Sequence, residues 1–192
     1  MFVVAGPSGV GKGTLIARAR ELAPALTVAT SATTRPRRPD EADGREYHFM
    51  TADEFERRVE SGDFLEHVSY AGNRYGTLRD EVDQRLEEGG SVVLEIEVAG
   101  AREIRRQMPS AVFVFVAPPT LADLEARLRG RRQNTETEVR ERLRIAAQEL
   151  QARPEFDHVI VNDDVDRAAR DLAALMRSAM TSEEPDDLPQ DR

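Results

Sequence analysis

Residues 2–14 read FVVAGPSGVGKGT, a short apolar run that passes through a glycine-rich turn into an amphipathic stretch over 12–22. No other feature limits the folding of the chain as strongly. Gly6, Pro7, Ser8, Gly9, Val10, Gly11, Lys12, Gly13 and Thr14 carry the pattern G-x-x-x-x-G-K between a strand and a helix. In that context the backbone N–H groups wrap an anion, the helix N-terminus adds partial positive charge, and the lysine reaches the outer phosphates of a nucleotide. The alternative is a tight glycine turn without chemistry. With Gly at 12 of 192 positions and a single Lys, chance gives the pattern roughly 0.004 times in such a chain. Of the 27 basic residues 26 are arginine, and the one lysine stands where a compact ammonium is wanted rather than a planar fork. Gly13 replaces the usual Ser or Thr after the lysine, so the magnesium-binding hydroxyl is missing there and Thr14 comes one residue late.

Strand-like and helix-like segments alternate through the rest of the chain. Apolar runs at 28–31, 92–96, 112–116 and 159–161 read as strands, with Phe113 and Phe115 in the core. Short strands at 64–70 and 73–75 flank a turn at 71–72. Helices are predicted over 51–60 and 135–152, each opened by a capping box (Thr51 with Glu54, Thr135 with Glu138). Further helices are predicted at 78–88, stopped by Gly89 and Gly90, and at 99–108, 120–129 and 165–180. Apolar strands separated by helices imply an α/β fold, a mostly parallel sheet covered on both faces. Residues 32–76 break the alternation and read as an inserted lobe, and the Arg-rich stretch from 127 to 142 reads as a second mobile element. The expected organisation is one domain over 1–180, with a core of about 1–31, 77–126 and 146–180, a lobe at 32–76 and a lid at 127–145. The acidic segment 181–192 is expected to be a disordered tail.

Composition removes several classes of function. A formal charge of −9 argues against general affinity for nucleic acid, and the absence of cysteine excludes disulfides, thiolate zinc sites and a Cys nucleophile. His48, His67 and His158 are scattered, which suits surface or satisfied roles rather than a metal cluster. Arg102, Arg105 and Arg106 read as a solvated helix face. The longest purely apolar run, 111–117, is far short of the about 20 residues of a membrane span. No signal peptide precedes the first strand, so a cytoplasmic protein is expected.

Two further blocks narrow the substrate. TTRPRRPDEADGREYHF, at 33–49, gathers arginines, a tyrosine and hydroxyls, and guanidinium forks bind two phosphate oxygens at once. A solvated basic loop is the alternative. FLEHVSYAGNRYGT, at 64–77, puts a carboxylate, a phenol and a hydroxyl on a hairpin. Guanine presents N1–H and N2–H2 as adjacent donors that a carboxylate matches, whereas adenine offers an acceptor at N1. A polar site of this kind can reject the wrong base by about 10⁴-fold.

Together GPSGVGKGT and these two blocks resemble the guanylate kinase family, and LEIEVAGAREIR, VFVFVAPP, RLRGRRQNTETEVRERL and VIVNDD extend the resemblance over about residues 2–180. The resemblance implies a P-loop NTPase-type parallel sheet flanked by helices, with an inserted GMP-binding lobe and a mobile lid, and transfer of the terminal phosphoryl group of ATP to GMP. It assigns guanine to Ser31, Thr77 and Glu66, and the GMP phosphate to Arg35, Arg38, Tyr47 and Tyr75. It assigns the ATP phosphates to the residues from Gly6 to Thr14, the adenine side to Asn162, and closure on the transferring group to Arg131 and Arg142. Glu95 and Glu97, two apart and so on one face, carry the acids of the magnesium environment and of the GMP side, with Thr14 as the nearest hydroxyl for Mg2+. Partners are then ATP and GMP, with no nucleic acid, membrane or obligate protein partner. The family usually has Asp at 97, Gln at 99, Gly at 132 and Glu at 134, where this chain has Glu97, Ala99, Arg132 and Asn134. The start inside the first strand also leads to the expectation that a short N-terminal extension is missing. Two rivals stand beside this reading: a catalytically silent binding module of the same fold, and a related P-loop kinase acting on a sugar phosphate. Lys12 argues against the first, and the Arg35, Arg38, Tyr47 and Glu66 set against the second.

Overall fold

The computed structural model describes residues 1–70, 72–130 and 135–181. Arg131, Arg132 and Asn134, and the segment 182–192 expected to be a tail, lie outside the described residues.

The first strand, β1 (Phe2–Ala5), is buried along its whole length. Because successive side chains point to opposite faces, Phe2 and Val4 join one core and Val3 and Ala5 the other. That double burial explains why the run is continuously apolar instead of alternating. The chain continues through α1 (Lys12–Leu22), β2 (Leu26–Val28), β3 (Ser31–Thr33), β4 (His48–Phe49), α2 (Ala52–Glu60), β5 (Phe64–Tyr70), β6 (Asn73–Leu78) and α3 (Arg79–Glu87). It then forms β7 (Ser91–Glu95), α4 (Val98–Gln107), β8 (Val112–Ala117), α5 (Leu121–Gly130) and α6 (Glu136–Glu149). A 3-10 turn (Leu150–Glu155), β9 (His158–Val161) and α7 (Val165–Thr181) complete the described chain.

β2, β7, β1, β8 and β9 form one sheet in that order, with every neighbouring pair parallel. On one face Leu15 and Ile16 of α1 and Leu172 and Met176 of α7 pack with Phe2, Val4, Val114 and Val116. On the other, Val82 of α3 and Ala101 and Ile104 of α4 pack with Val3, Val92, Leu94 and Phe113. Burying each such side chain contributes about 1.5–3 kcal/mol, so these two layers dominate the stability of the core. Phe113 and Phe115 are both buried, as expected.

A second sheet, ordered β4-β3-β6-β5, is built from residues 31–78. It has its own small core, in which the rings of Phe55 and Phe64 stack at 4.4 Å over Ala32. Here the structure corrects the expected strand at 28–31, which is two strands. Val28 pairs with Val93 in the parallel sheet, while Ser31 pairs with Thr77 in the other. The chain changes sheets within two residues. The strand expected at 73–75 runs on to Leu78 because it pairs on both sides, with β3 and β5. The helix expected over 135–152 ends as α-helix at Glu149 and tightens into the 3-10 turn, which contains Pro154.

His48 shares a hydrogen bond with Glu81 at 3.0 Å, and His67 and His158 are exposed. Arg102 and Arg106 are exposed and ion-paired, to Glu155 and Glu103. Arg105 does more than face solvent, since its guanidinium lies 3.8 Å from the centroid of the Phe113 ring. Among the described residues no helix is long and apolar enough to cross a membrane.

Candidate active site

The glycine turn leaves β1 and enters α1 with Gly6 and Gly11 at positive φ, 148° and 98°. Neither tolerates a side chain. A Cβ on Gly6 would overlap the Val116 carbonyl oxygen, and one on Gly11 would stand 2.8 Å from Asn162 Nδ2. The first turn of α1 has no acidic residue and no side-chain cap, and the carboxylate of Glu95 stands against Gly13. Lys12 is the first residue of that helix and is buried. Its Nζ donates to the Gly6 carbonyl at 2.7 Å and lies 3.8 Å from Glu97 Oε1.

Three residues from distant segments brace this loop. The Val10 carbonyl accepts from Asn162 Nδ2 and from Arg127 Nη1, both at 2.9 Å, and Arg127 Nη2 donates to the Asn162 carbonyl. Arg142 Nη2, from α6, donates to Ser8 Oγ at 2.7 Å. Arg127 was read as the start of a mobile stretch, and here one of its terminal nitrogens bonds the P-loop and the other bonds Asn162.

A cleft of 770 Å³ joins this loop to the second sheet. Of the residues expected to act, it is lined by Ser8, Gly9, Gly11, Lys12, Gly13, Thr14, Ser31, Arg35, Arg38, Tyr47, Glu66, Tyr75, Glu95, Glu97 and Arg142. Gly6, Pro7, Val10, Thr77 and Asn162 do not line it; they lie behind residues that do. β7 ends at Glu95, so Glu97 is not on the strand as expected. It sits in extended backbone as the residue capping α4, and both acids still reach the cleft. Burial raises the Glu95 carboxyl above its usual range, opposed by Lys12 and by the N–H of Gly13.

On the far wall Glu66 is 3 % exposed and accepts from Thr77 Oγ1 at 2.8 Å. Burial pushes its carboxyl up to about 7, with Thr77 opposing. Arg35 is held by Glu41, whose two oxygens accept from Nη1 at 3.0 Å and Nη2 at 2.7 Å. Its guanidinium also lies 5.4 Å from the centroid of the Tyr47 ring. Tyr47 and Tyr75 meet edge to face at 6.0 Å, and burial, then Glu95, pushes the Tyr47 phenol up to about 12. It is therefore a neutral donor at any physiological pH.

The guanylate kinase family model matches residues 1–179. The chain belongs to the guanylate kinase family. It is 53 % identical to a guanylate kinase of Frankia casuarinae over 176 residues, covering 92 % of this chain and 96 % of the relative. It is 46 % identical to one of Rubrobacter xylanophilus over 185 residues, covering 96 % and 97 %. The crystal structure of guanylate kinase from Anaplasma phagocytophilum superposes with a TM-score of 0.76 at 28 % identity, over 94 % of this chain and 85 % of that one. A gluconokinase from Sinorhizobium meliloti shares the fold alone, with a TM-score of 0.52 at 16 % identity over 95 % and 96 %. With the guanylate kinase family goes its reaction, transfer of the terminal phosphoryl group of ATP to GMP.

Within this guanylate kinase fold four residues matter that sequence reasoning left without a role. Glu41 fixes Arg35, Arg127 fixes the P-loop, and Glu149 on α6 lines a smaller pocket together with Glu97, with Oε2 of both acids buried and without a hydrogen-bond partner. Burial, with Glu97 adding to it, pushes Glu149 up to about 7. Gly100 stands so close to Glu66 that a Cβ would lie 2.5 Å from its Oε2. Only Glu41 had a local signal, its place three residues after Arg38 in the arginine-rich block.

Proposed function

We propose that the cleft performs the guanylate kinase reaction with the base read by Glu66 and the phosphates held from both walls. The observation that carries this is the single cleft shared by a buried carboxylate at one end and the Lys12 loop at the other. Glu66 accepts the N1–H and N2–H2 donors of guanine, with Thr77 and Ser31 bonding beside it, so adenine would face an acceptor with an acceptor. Arg35, Arg38, Tyr47 and Tyr75 hold the GMP phosphate, and Glu97 faces the GMP side. With Nη1 donating to Glu41 and Pro36 and Nη2 to Glu41, Arg35 keeps its Nε–H and second Nη2–H, a side-on fork, for two phosphate oxygens.

Gly6 to Thr14 cradle the ATP phosphates, with Asn162 supporting the loop from the ATP side. Lys12 exchanges its Gly6 carbonyl for phosphate oxygens, and Arg142, with Arg131, closes onto the transferring group. Phosphoryl transfer then needs in-line placement, neutralised charge and exclusion of water, and no general base, because the acceptor phosphate is already anionic. Among the described residues no group of three or more His, Cys, Asp or Glu could hold a metal alone. The Thr14 hydroxyl and the Glu95 carboxylate are hard oxygen donors on one side of the cleft, which suits Mg2+ bound mainly through phosphates and water. Bound there, Mg2+ supplies charge neutralisation at the phosphates.

The separate small core of the second sheet supports the acceptor lobe (32–76) as a unit, and the lid (127–145) rests on the family resemblance. Closure of these parts over the substrates would keep water from the phosphoryl group. The net charge of −9 supports small-molecule substrates rather than nucleic acid, and a reaction fed by ATP and GMP is assigned to the cytoplasm. Coupled turnover with ATP and Mg2+ across GMP, AMP, CMP and UMP tests the reading. Fast turnover confined to GMP is expected, and equal use of AMP would overturn the role of Glu66.

A further inference from the structure

The extended stretch that ends in β4 sends its side chains to two sides. The rings of Tyr47 and Phe49 meet edge to face at 5.8 Å, and the Arg35 guanidinium lies 5.4 Å and 5.6 Å from their centroids. His48, between them in the chain, points the other way, because successive side chains of a strand alternate. Its Nε2 stands 3.0 Å from Glu81 Oε1, in the first turn of α3. A carboxylate only accepts, so Nε2 carries the hydrogen and donates. Glu81 is a fixed post. Arg85 Nη1, one turn on, donates to its carboxylate and to its carbonyl oxygen, and the adjacent Val82 is buried in the main core. The second sheet is tied to the core at its other edge too. Leu65 of β5 is buried in that same core, and Gln107 Nε2 of α4 donates to its carbonyl oxygen at 2.7 Å. In the order β4-β3-β6-β5 the two ties stand at opposite edges of the sheet, about 14 Å apart at ~4.8 Å per strand.

We propose that His48 is a positioning residue for GMP: by its bond to Glu81 it fixes the β4 edge of the second sheet on α3, and so sets where Tyr47 and Arg35 meet the acceptor phosphate. The proposal rests on the roles given above to Tyr47 and Arg35. The leverage is geometric. With the β5 edge held by Leu65, the sheet without this tie pivots there, and a tilt of about 5° moves β4 by ~1 Å, enough to spoil a contact that depends on placement. The phosphate-binding arrangement is then populated only part of the time, and the apparent affinity for GMP falls by that fraction. Saturating GMP restores the arrangement, so the loss is read in KM and not in kcat. ATP is held by the opposite wall and is unaffected.

The test is steady-state kinetics of H48A, E81A, H48Q, D80A and Y47F and of the double variant H48A/E81A, with thermal melting of each. In H48A and in E81A the KM for GMP rises about 5-fold, while kcat and the KM for ATP stay within about 2-fold. E81A serves if H48A does not fold. H48Q keeps an N–H donor for the carboxylate, so its KM for GMP stays within about 2-fold of the parent. The double variant is no more than about 2-fold worse than either single one, since the two residues act as one unit. D80A removes the other acid of the first turn of α3 and leaves the tie in place, so it keeps the parental KM. A parental KM for GMP in H48A and E81A, even with lowered melting temperatures, overturns the proposal. So does H48Q as weak as H48A, D80A as weak as E81A, an equal rise in the KM for ATP, or losses that multiply in the double variant. Y47F with the parental KM for GMP overturns the role of Tyr47 and this proposal with it, whereas a raised KM in Y47F beside a parental one in H48A overturns this proposal alone.

Discussion

Gly100, in the first turn of α4, stands against the carboxylate of Glu66 so closely that a single added methyl would lie 2.5 Å from Oε2. The acid proposed to read the base, on one sheet, is thus shaped by a missing side chain on a helix packed against the other. Gly100→Ala gains about 0.5–1 kcal/mol in helix propensity, which displacing the buried, Thr77-bonded carboxylate offsets, so the melting temperature should hold or fall slightly. The displaced carboxylate should raise the KM for GMP by about 10-fold or more, within the range that one misplaced polar partner costs in a specificity pocket. An unchanged KM in the folded variant would show that Glu66 moves without consequence.

Glu66 also sets a pH dependence. Its carboxyl titrates at about 7, and only the charged form accepts from both guanine donors. The kcat/KM for GMP should therefore fall as pH drops through about 7 and level off about one unit above it. Stability runs the other way. The folded state binds the proton more tightly than the unfolded chain, whose carboxyl keeps its ordinary value of 4.5, so this group stabilises the fold increasingly as pH falls from about 7 to 4.5. In Glu66→Gln the GMP profile should flatten through that range while the KM for ATP is preserved. Equal losses toward both nucleotides would place Glu66 outside base recognition.

Lys12, the one lysine of the chain, is proposed to carry its ammonium from the Gly6 carbonyl to the phosphates. Lys12→Met, similar in length and buried in the same slot, should retain the fold and lose about 10²–10³-fold in kcat, the scale of removing one preorganised charge donor. Lys12→Arg should not restore it, because a planar fork does not fit where Nζ turns between Gly6 and the cleft. Circular dichroism and turnover of the two variants separate folding from chemistry.

Arg127 makes two charged hydrogen bonds, to Val10 and Asn162, that hold the P-loop from behind. Arg127→Ala should cost about 1–3 kcal/mol in denaturant unfolding and raise the KM for ATP more than that for GMP. A stable variant with unaltered ATP kinetics would mean that Asn162 braces the loop alone.

The P-loop was legible because its chemistry is local: glycines, a lysine and a helix start within nine residues. So were the apolar strands, since burial on both faces leaves a continuous run. The division between β2 and β3 was not, because residues 28–31 look like one strand, and only the distant pairings of Val28 with Val93 and Ser31 with Thr77 separate them. Arg127 was hidden for a similar reason. As one of 26 arginines on an Arg-rich helix, it carries no mark of the carbonyl groups it will meet. Gly100 acts through a partner dozens of residues away, which shows in no spacing along the chain.

The stacked pair of Phe55 and Phe64 over Ala32 has a thermodynamic consequence of its own. So few buried side chains give the second sheet a shallow local free-energy well, and its amides should exchange with solvent faster than those of β1, β7 and β8. Leu65 of β5 already ties this sheet to the deeper core, and a nucleotide bound across the cleft adds its binding free energy to the weaker partner. The acceptor would then be both substrate and scaffold, lending rigidity to the part of the molecule that has least of its own.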